Sequence, residues 1–294
     1  MLLAGGLGLE LGGRPTVGVQ PKQLAIDNPY QGGNWFKGNL DVASVRGVGR
    51  DLPSAIGRWY ASRGYSFLGI SDANTYTWTS EYASAGLTGV PVVDARYTFG
   101  DLLAVGDDRW LPASNAAQAA AWISADGALP VVQAINDSPL PHGLFGLEIA
   151  NAAHPPASST TVWDRSLTSG DHVYAFGGDG IASLDDPAAG KAWIVAQASS
   201  SNLDLLLSSL RRGAFYASTG PAFSSISVDK RTITVAASPG TSLRFIGGGG
   251  RLLESSDTST ASYKISGNEK YVRVEAVAPD GTRAWSQPLF LTWR

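Results

Sequence analysis

Lys37-Gly38-Asn39-Leu40-Asp41-Val42-Ala43 and, about thirty residues on, Ile70-Ser71-Asp72-Ala73-Asn74 decide how this chain is read. Each lies where an apolar stretch of strand character stops, the position at which a βα barrel carries its chemistry. The side chains there are Asp, Ser, Ala and Asn, with no imidazole. The pattern is that of an enzyme scaffold whose reactive centre has been taken apart.

Outward from these stretches a βα rhythm is expected. Pro53 to Arg63 reads as a helix, with Pro53 in its first turn and Ile56, Trp59 and Tyr60 at helical spacing. Gly64 ends it, and Tyr65 to Ile70 is a short apolar run of the kind buried on both faces. Strands follow at Val90–Val93, Leu129–Gln133, Gly146–Ile149, His172–Phe176 and Ala192–Ala198, with a return strand over Tyr97–Gly106. Helices are expected at Ala113–Ala125, Thr161–Ser169 and Leu203–Arg212. Strands alternating with helices imply a mostly parallel sheet curled into a barrel. After Gly220-Pro221 the character changes to short alternating segments between turn signals such as Asp229-Lys230, Pro239-Gly240 and Asp280-Gly281. That pattern reads as a small antiparallel sandwich. Three units are therefore expected: an arm over 1–33, a barrel over 34–221 and a β-sandwich over 222–294.

Composition narrows the function. The 294 residues carry a net charge of −3 and no Lys/Arg run, so nucleic acid is not an expected partner. With no cysteine, neither a disulfide framework nor a thiolate metal site is possible. No segment has the apolar length of a membrane span. Met1 to Leu9 reads as a clipped export-signal core, without a basic start and interrupted by Glu10, or else as a flexible arm able to dock on a partner. The first of these readings places the protein in the periplasm or outside the cell.

Trp35-Phe36-Lys37-Gly38-Asn39-Leu40 followed by Gly64-Tyr65-Ser66-Phe67-Leu68-Gly69-Ile70-Ser71-Asp72 resembles the opening of the PHP superfamily, the polymerase and histidinol phosphatase domains. The segments Leu210 to Pro221, Val272-Arg273-Val274-Glu275 and Asp280 to Pro288 are similar to the carbamate- and ester-hydrolase branch of these metallohydrolases. The resemblance implies an α/β fold, a distorted (β/α)7 barrel followed by a small antiparallel β-sandwich, with two or three metal ions held by His, Asp and Glu at strand ends. In that alignment the first His-x-His falls on Asp41 and Ala43, and the Asp-His pair on Asp72 and Ala73. The Glu of the third strand falls on Asp94, a later His on Asp101, a His-Pro on Ala134-Ile135, and the final Asp-x-His on Asp179-Gly180-Ile181.

A dinuclear hydrolytic site needs several neutral imidazoles and bridging carboxylates. The chain has three histidines, His142, His154 and His172, each expected on a loop or surface, and only His154 is placed to overhang the mouth. If Asp41, Asp72, Asp94, Asp101 and Asp179 converge, they form an oxygen-only cluster of the kind that suits calcium or magnesium. The competing reading pairs Asp41 and Asp94 with Arg46 or Arg96. Asn74 completes the candidate pocket, and Tyr76, Trp78 and Tyr82 are candidates for an aromatic face at its mouth. The leading expectation is a catalytically silent protein with no required cofactor that binds a small ligand or a protein partner. The rivals are a hydrolase using the remaining carboxylates and a purely structural subunit.

Overall fold

The computed structural model describes residues 23–133, 140–154 and 159–294. Among these the chain forms four α-helices: α1 (Pro53–Ala61), α2 (Ala116–Ala125), α3 (Ser159–Ser169) and α4 (Leu203–Arg211). Apart from the short 3-10 turns Thr79–Glu81 and Gly248–Gly250, the remaining regular structure of these residues is strand, so the protein is a sheet-rich mixed α/β molecule. One helix per strand, as the resemblance implies, is not what these residues form. Between Val92–Tyr97 and Gly100–Val105 the link is too short for a helix, and these strands pair antiparallel, as do Gly100–Val105 and Leu129–Val132. A tight return of this kind excludes the crossover that parallel neighbours require.

Two extended sheets result. In one, Asn34–Asn39, Phe67–Leu68 and Thr88–Gly89 run parallel, Trp193–Ala198 pairs antiparallel with Asn34–Asn39, and Phe215–Ser218 pairs antiparallel with Trp193–Ala198. The other runs in the spatial order Tyr174–Gly178, Gly146–Asn151, Leu129–Val132, Gly100–Val105, Val92–Tyr97, Asp72–Ala73. Beyond the first sheet's Asn39 and the second sheet's Gly178, the chain is bridged in parallel by Val42 and Ile181, which brings the two sets of strand ends together. α1 packs by Ile56 and Tyr60, and after it Gly64 takes φ 77° while the Tyr65 N–H returns to the Tyr60 carbonyl. That left-handed turn is why a glycine stands there.

The first sheet continues through Phe215–Ser218 and Arg283–Ser286 into Tyr271–Val277, so strands on both sides of residue 221 share one hydrogen-bonded surface. A separate three-stranded sheet, Phe223–Asp229, Thr232–Ala237 and Thr260–Lys264, covers it. Ile226, Ile233, Val235, Leu243, Phe245 and Val274 fill the space between these layers. The described part of the lead-in is tied down: Leu24–Asp27 pairs with Leu289–Trp293, and the Tyr30 hydroxyl donates to the Phe215 carbonyl. No helix among the described residues is long and apolar enough to cross a membrane.

Candidate functional site

The strand ends meet in a cavity of about 420 Å³ whose wall includes Asp41, Ser71, Asp94, Asp101, Gln133 and Asn151. Asp41, Ser71, Gln133 and Asn151 sit at or just after strand ends, whereas Asp94 and Asp101 project from within the paired strands Val92–Tyr97 and Gly100–Val105. Behind the wall stands Glu148, in the strand Gly146–Asn151, 1% exposed. Gly178 makes this convergence possible: a Cβ there would lie 2.5 Å from Glu148 Oε1 and 2.7 Å from the Asp41 Cβ.

Asp41 is held entirely by neutral donors. Ser71 Oγ and Gln133 Nε2 each donate to its Oδ1 at 3.0 Å, and Asn151 Nδ2 donates to Oδ2 at 3.2 Å. The same Asn151 nitrogen donates to Glu148 Oε2 at 2.8 Å. Its orientation is fixed, because Asn151 Oδ1 accepts the His154 backbone N–H at 2.8 Å and leaves the NH2 facing the acids. Two buried carboxyls thus share one amide. Burial raises Glu148 well above the usual carboxylate range, and the Asp41 charge adds to the effect. Burial also raises Asp41, but its hydrogen bonds from Ser71 and Gln133 oppose the shift. With more donors on Asp41 than on Glu148, the proton of the pair resides on Glu148.

The other acids are engaged differently. Asp72 is buried and accepts from the Ser44 N–H at 2.7 Å, Ser44 Oγ at 2.6 Å and Thr77 Oγ1 at 2.5 Å, so it organises a loop. Asp179 accepts from Tyr60 Oη at 2.5 Å and from the backbone N–H groups of Gly190, Lys191 and Ala192. Asp94 pairs with Arg96 at 2.6 Å, and Asp101 stands 3.9 Å from the same guanidinium. Arg46 pairs with Glu81, not with Asp41. Asn74 takes φ 52° and accepts the Arg96 N–H, a turn role.

The aromatic residues do not gather at the cavity. Tyr82 is buried with its hydroxyl on the Val90 carbonyl, while Tyr76 meets Trp78 edge-on and Trp78 is 65% exposed. His154 does line the cavity; His172 instead stacks on Phe290 at 3.8 Å. Ala134-Ile135 lies outside the described residues. Sequence reasoning missed Glu148, Asn151, Gln133 and Ser71. The available signal was Glu148 itself, an acid inside the apolar run Leu147-Glu148-Ile149, since a buried charge needs a partner.

These residues do not fit a bound ion pair. A cation needs carboxylate and imidazole lone pairs facing it, whereas Asp41, Asp72 and Asp179 already receive hydrogen bonds from protein donors. An amide NH2 between Asp41 and Glu148 occupies the position where positive charge would be required. Among the described residues no three His, Cys, Asp or Glu side chains form a metal-holding group. Asp94 Oδ1, buried and without a hydrogen-bond partner, and the Asp101 carboxylate, 3.9 Å from Arg96, are the exceptions, and two carboxylates beside a guanidinium fall short of a hard cation's shell of about six to eight oxygens.

The buried acids set a pH dependence. Burial pushes Asp94 up to about 6, against the opposing Arg96. A carboxyl raised in the folded state binds more protons there than in the unfolded chain, so stability falls as pH rises through the window from about 4 to 6. Asp41 and Glu148 act in the same direction. Glu269, held down at about 2 by backbone N–H groups and Tyr263 despite its burial, acts oppositely but only below about pH 4.5. The thermal midpoint is expected to be higher at pH 5 than at pH 7.5, with Asp94→Asn flattening the difference. Scanning calorimetry across that range checks it, and a midpoint that climbs toward pH 7.5 contradicts it.

In the comparisons with known proteins, no family model matches the sequence and no curated protein does. The structure is similar to that of a two-domain protein from Bacteroides vulgatus containing a predicted PHP-like metal-dependent phosphoesterase. The TM-score is 0.53 at 12% identity, over 94% of this chain and 100% of that one. The likeness is one of fold.

Proposed function

We propose that this chain is a PHP-like fold, a reduced form of the (β/α)7 barrel over 34–221 with a β-sandwich over 222–294, that acts by binding and not by hydrolysis. The observation that carries this is the Asn151 amide donating to both Asp41 and Glu148. In a hydrolytic site of this fold the carboxylates at strand ends face cations, which activate water. Here neutral donors engage Asp41, Asp72 and Asp179, Asp94 pairs with Arg96, and Ala43, Ala73 and Ile181 supply no nitrogen. The cavity that remains is of small-molecule size, which favours a small ligand over a protein partner at this face.

The test is the ion content of the native protein, measured by inductively coupled plasma mass spectrometry, with titrations of Mn2+, Zn2+, Mg2+ and Ca2+ followed by calorimetry. Well under one equivalent of any cation is expected, with no saturable uptake and no cation-dependent cleavage of p-nitrophenyl phosphate, p-nitrophenyl acetate or a carbamate. Two equivalents of tightly held cation, with turnover abolished by Asp41→Asn, would establish the rival hydrolase reading instead.

A further inference from the structure

Without ions, the field inside the cup has the opposite sign from that of a phosphoesterase. Among the described wall residues Asp41, Asp94 and Asp101 face Arg96 and the titratable His154, so carboxylates outnumber fixed cations. A phosphate entering this space meets net negative charge with no metal to offset it. The neutral donors in the wall are also largely spent, since Ser71, Gln133 and Asn151 direct theirs at Asp41, while Arg96 turns its Nε to Asp94.

What the wall retains is acceptors. Asp94 is 3% exposed, and its Oδ1 has no hydrogen-bond partner while Oδ2 holds Arg96. A buried carboxylate oxygen left without a donor is costly unless something supplies one. Asp101 stands on the neighbouring strand, paired in register with Arg96, with its carboxylate largely open. Val48 and Ile181 add apolar lining to the same cavity.

Resting on the ion-free reading above, we infer that the cup binds a small organic ammonium ion, its N–H groups directed at Asp94 and Asp101 and its short carbon body lying against Val48 and Ile181. An ammonium brings three donors and a positive charge to a wall rich in acceptors. A charge-assisted contact of this kind, made in a partly enclosed cavity, is stronger than a neutral hydrogen bond.

The experiment uses the full chain and four probes: 1,4-diaminobutane, n-butylamine, glucose and inorganic phosphate, each followed by calorimetry and thermal shift. The two amines are expected to bind and to raise the midpoint; glucose and phosphate are not. Asp94→Asn is expected to weaken amine binding roughly 10–100-fold, the scale of a lost charged hydrogen bond. Asp101→Lys, at the exposed rim, changes the field without touching the core and is expected to weaken the amines by roughly tenfold. Amines that fail to bind at millimolar concentration, or glucose or phosphate binding more tightly than the amines, would overturn the inference. So would amine binding unchanged in both variants. Ion content measured on the same sample separates the two readings: a protein holding two cations overturns both, whereas an ion-free protein indifferent to amines overturns only this one.

Discussion

Replacing Arg273 by methionine is expected to destabilise the protein by about 3–5 kcal/mol, the usual cost of breaking a buried ion pair from one side. Arg273 is 2% exposed. Its Nε and Nη2 form a fork onto Asp164 at 2.8 and 2.7 Å, and Nη1 donates to Glu275 at 2.7 Å. Tyr271 Oη adds a bond to Asp164 at 2.7 Å, and the guanidinium lies 4.9 Å over the Trp163 ring. Burial alone would lower the guanidinium's pKa, but Asp164 and Glu275 hold it up, so it stays charged. Methionine fills much of the volume but leaves Asp164 without its cation and Glu275 with Arg283 alone, 3.3 Å from its other oxygen. Because Asp164 stands on α3 and Arg273 in Tyr271–Val277, the loss also unfastens the helix from the C-terminal strands. At a chain of this size the midpoint should fall by roughly 6–20 °C. Substituting all three together, Asp164→Leu, Arg273→Met and Glu275→Leu, should recover most of the loss, since no buried charge is left unpaired and Arg283, which loses Glu275, is 41% exposed to water. Urea denaturation of wild type, Arg273→Met and the triple variant measures both numbers. A single variant within about 1 kcal/mol of wild type would mean that water reaches this network.

The difference between what is legible in the sequence and what is not follows from range. Helices α1 and α4 are readable because their stop and start signals are local: Gly64 after α1, and Asn202 accepting the Leu205 N–H ahead of α4. α2 begins at Ala116, not at Ala113, because Asn115 caps it by accepting the Gln118 N–H, a signal present in the sequence but hidden within an Ala-rich run. The strand Tyr65–Ile70 shrinks to Phe67–Leu68, since only those residues find a hydrogen-bonded neighbour on each side. Strand direction is not written locally. Val92–Tyr97 and Gly100–Val105 have the same apolar character whether the neighbour is parallel or antiparallel.

The site divides along the same line. Asp41, Asp94 and Asp101 do converge on one cavity, as the resemblance implies, although Asp94 and Asp101 do so from within paired strands and not from strand ends. Their hydrogen-bond partners are not legible, because Gln133 and Asn151 reach Asp41 across 92 and 110 residues of sequence. Asparagine and glutamine carry no periodicity that marks them as such partners. Pairing of Asp94 with Arg96 is a two-residue relation within one strand and was open to inspection.

Asp179→Ala is the variant on which the ion-binding and hydrogen-bonding accounts of this face diverge most. As a metal ligand, Asp179 would be dispensable for folding in the absence of metal, and its loss would abolish ion uptake alone. As placed here, it accepts from Tyr60 Oη and from the N–H groups of Gly190, Lys191 and Ala192 at 2.8, 2.9 and 3.0 Å. Alanine leaves those donors without an acceptor in a region where Tyr60 is fully buried. Each orphaned buried donor costs about 1–3 kcal/mol, so even with partial rescue by water the sum should reach about 3–5 kcal/mol. Burial raises the Asp179 pKa despite these donors, so part of the carboxylate's own desolvation cost is recovered on removal, which is why the expected loss stops short of the simple sum. The loop from Asp186 to Ala192 should loosen first, giving faster proteolysis there than in wild type. Tyr60→Phe, which removes one donor, should cost about 1 kcal/mol, and Asp101→Ala, at the rim, less than about 0.5 kcal/mol. The decisive comparison is thermal unfolding of wild type and Asp179→Ala, each with EDTA and with added Zn2+ or Mn2+. An ion-independent drop confined to the variant supports the hydrogen-bonded site; a wild-type midpoint that falls with EDTA to the level of a stably folded variant would show that Asp179 serves a cation after all.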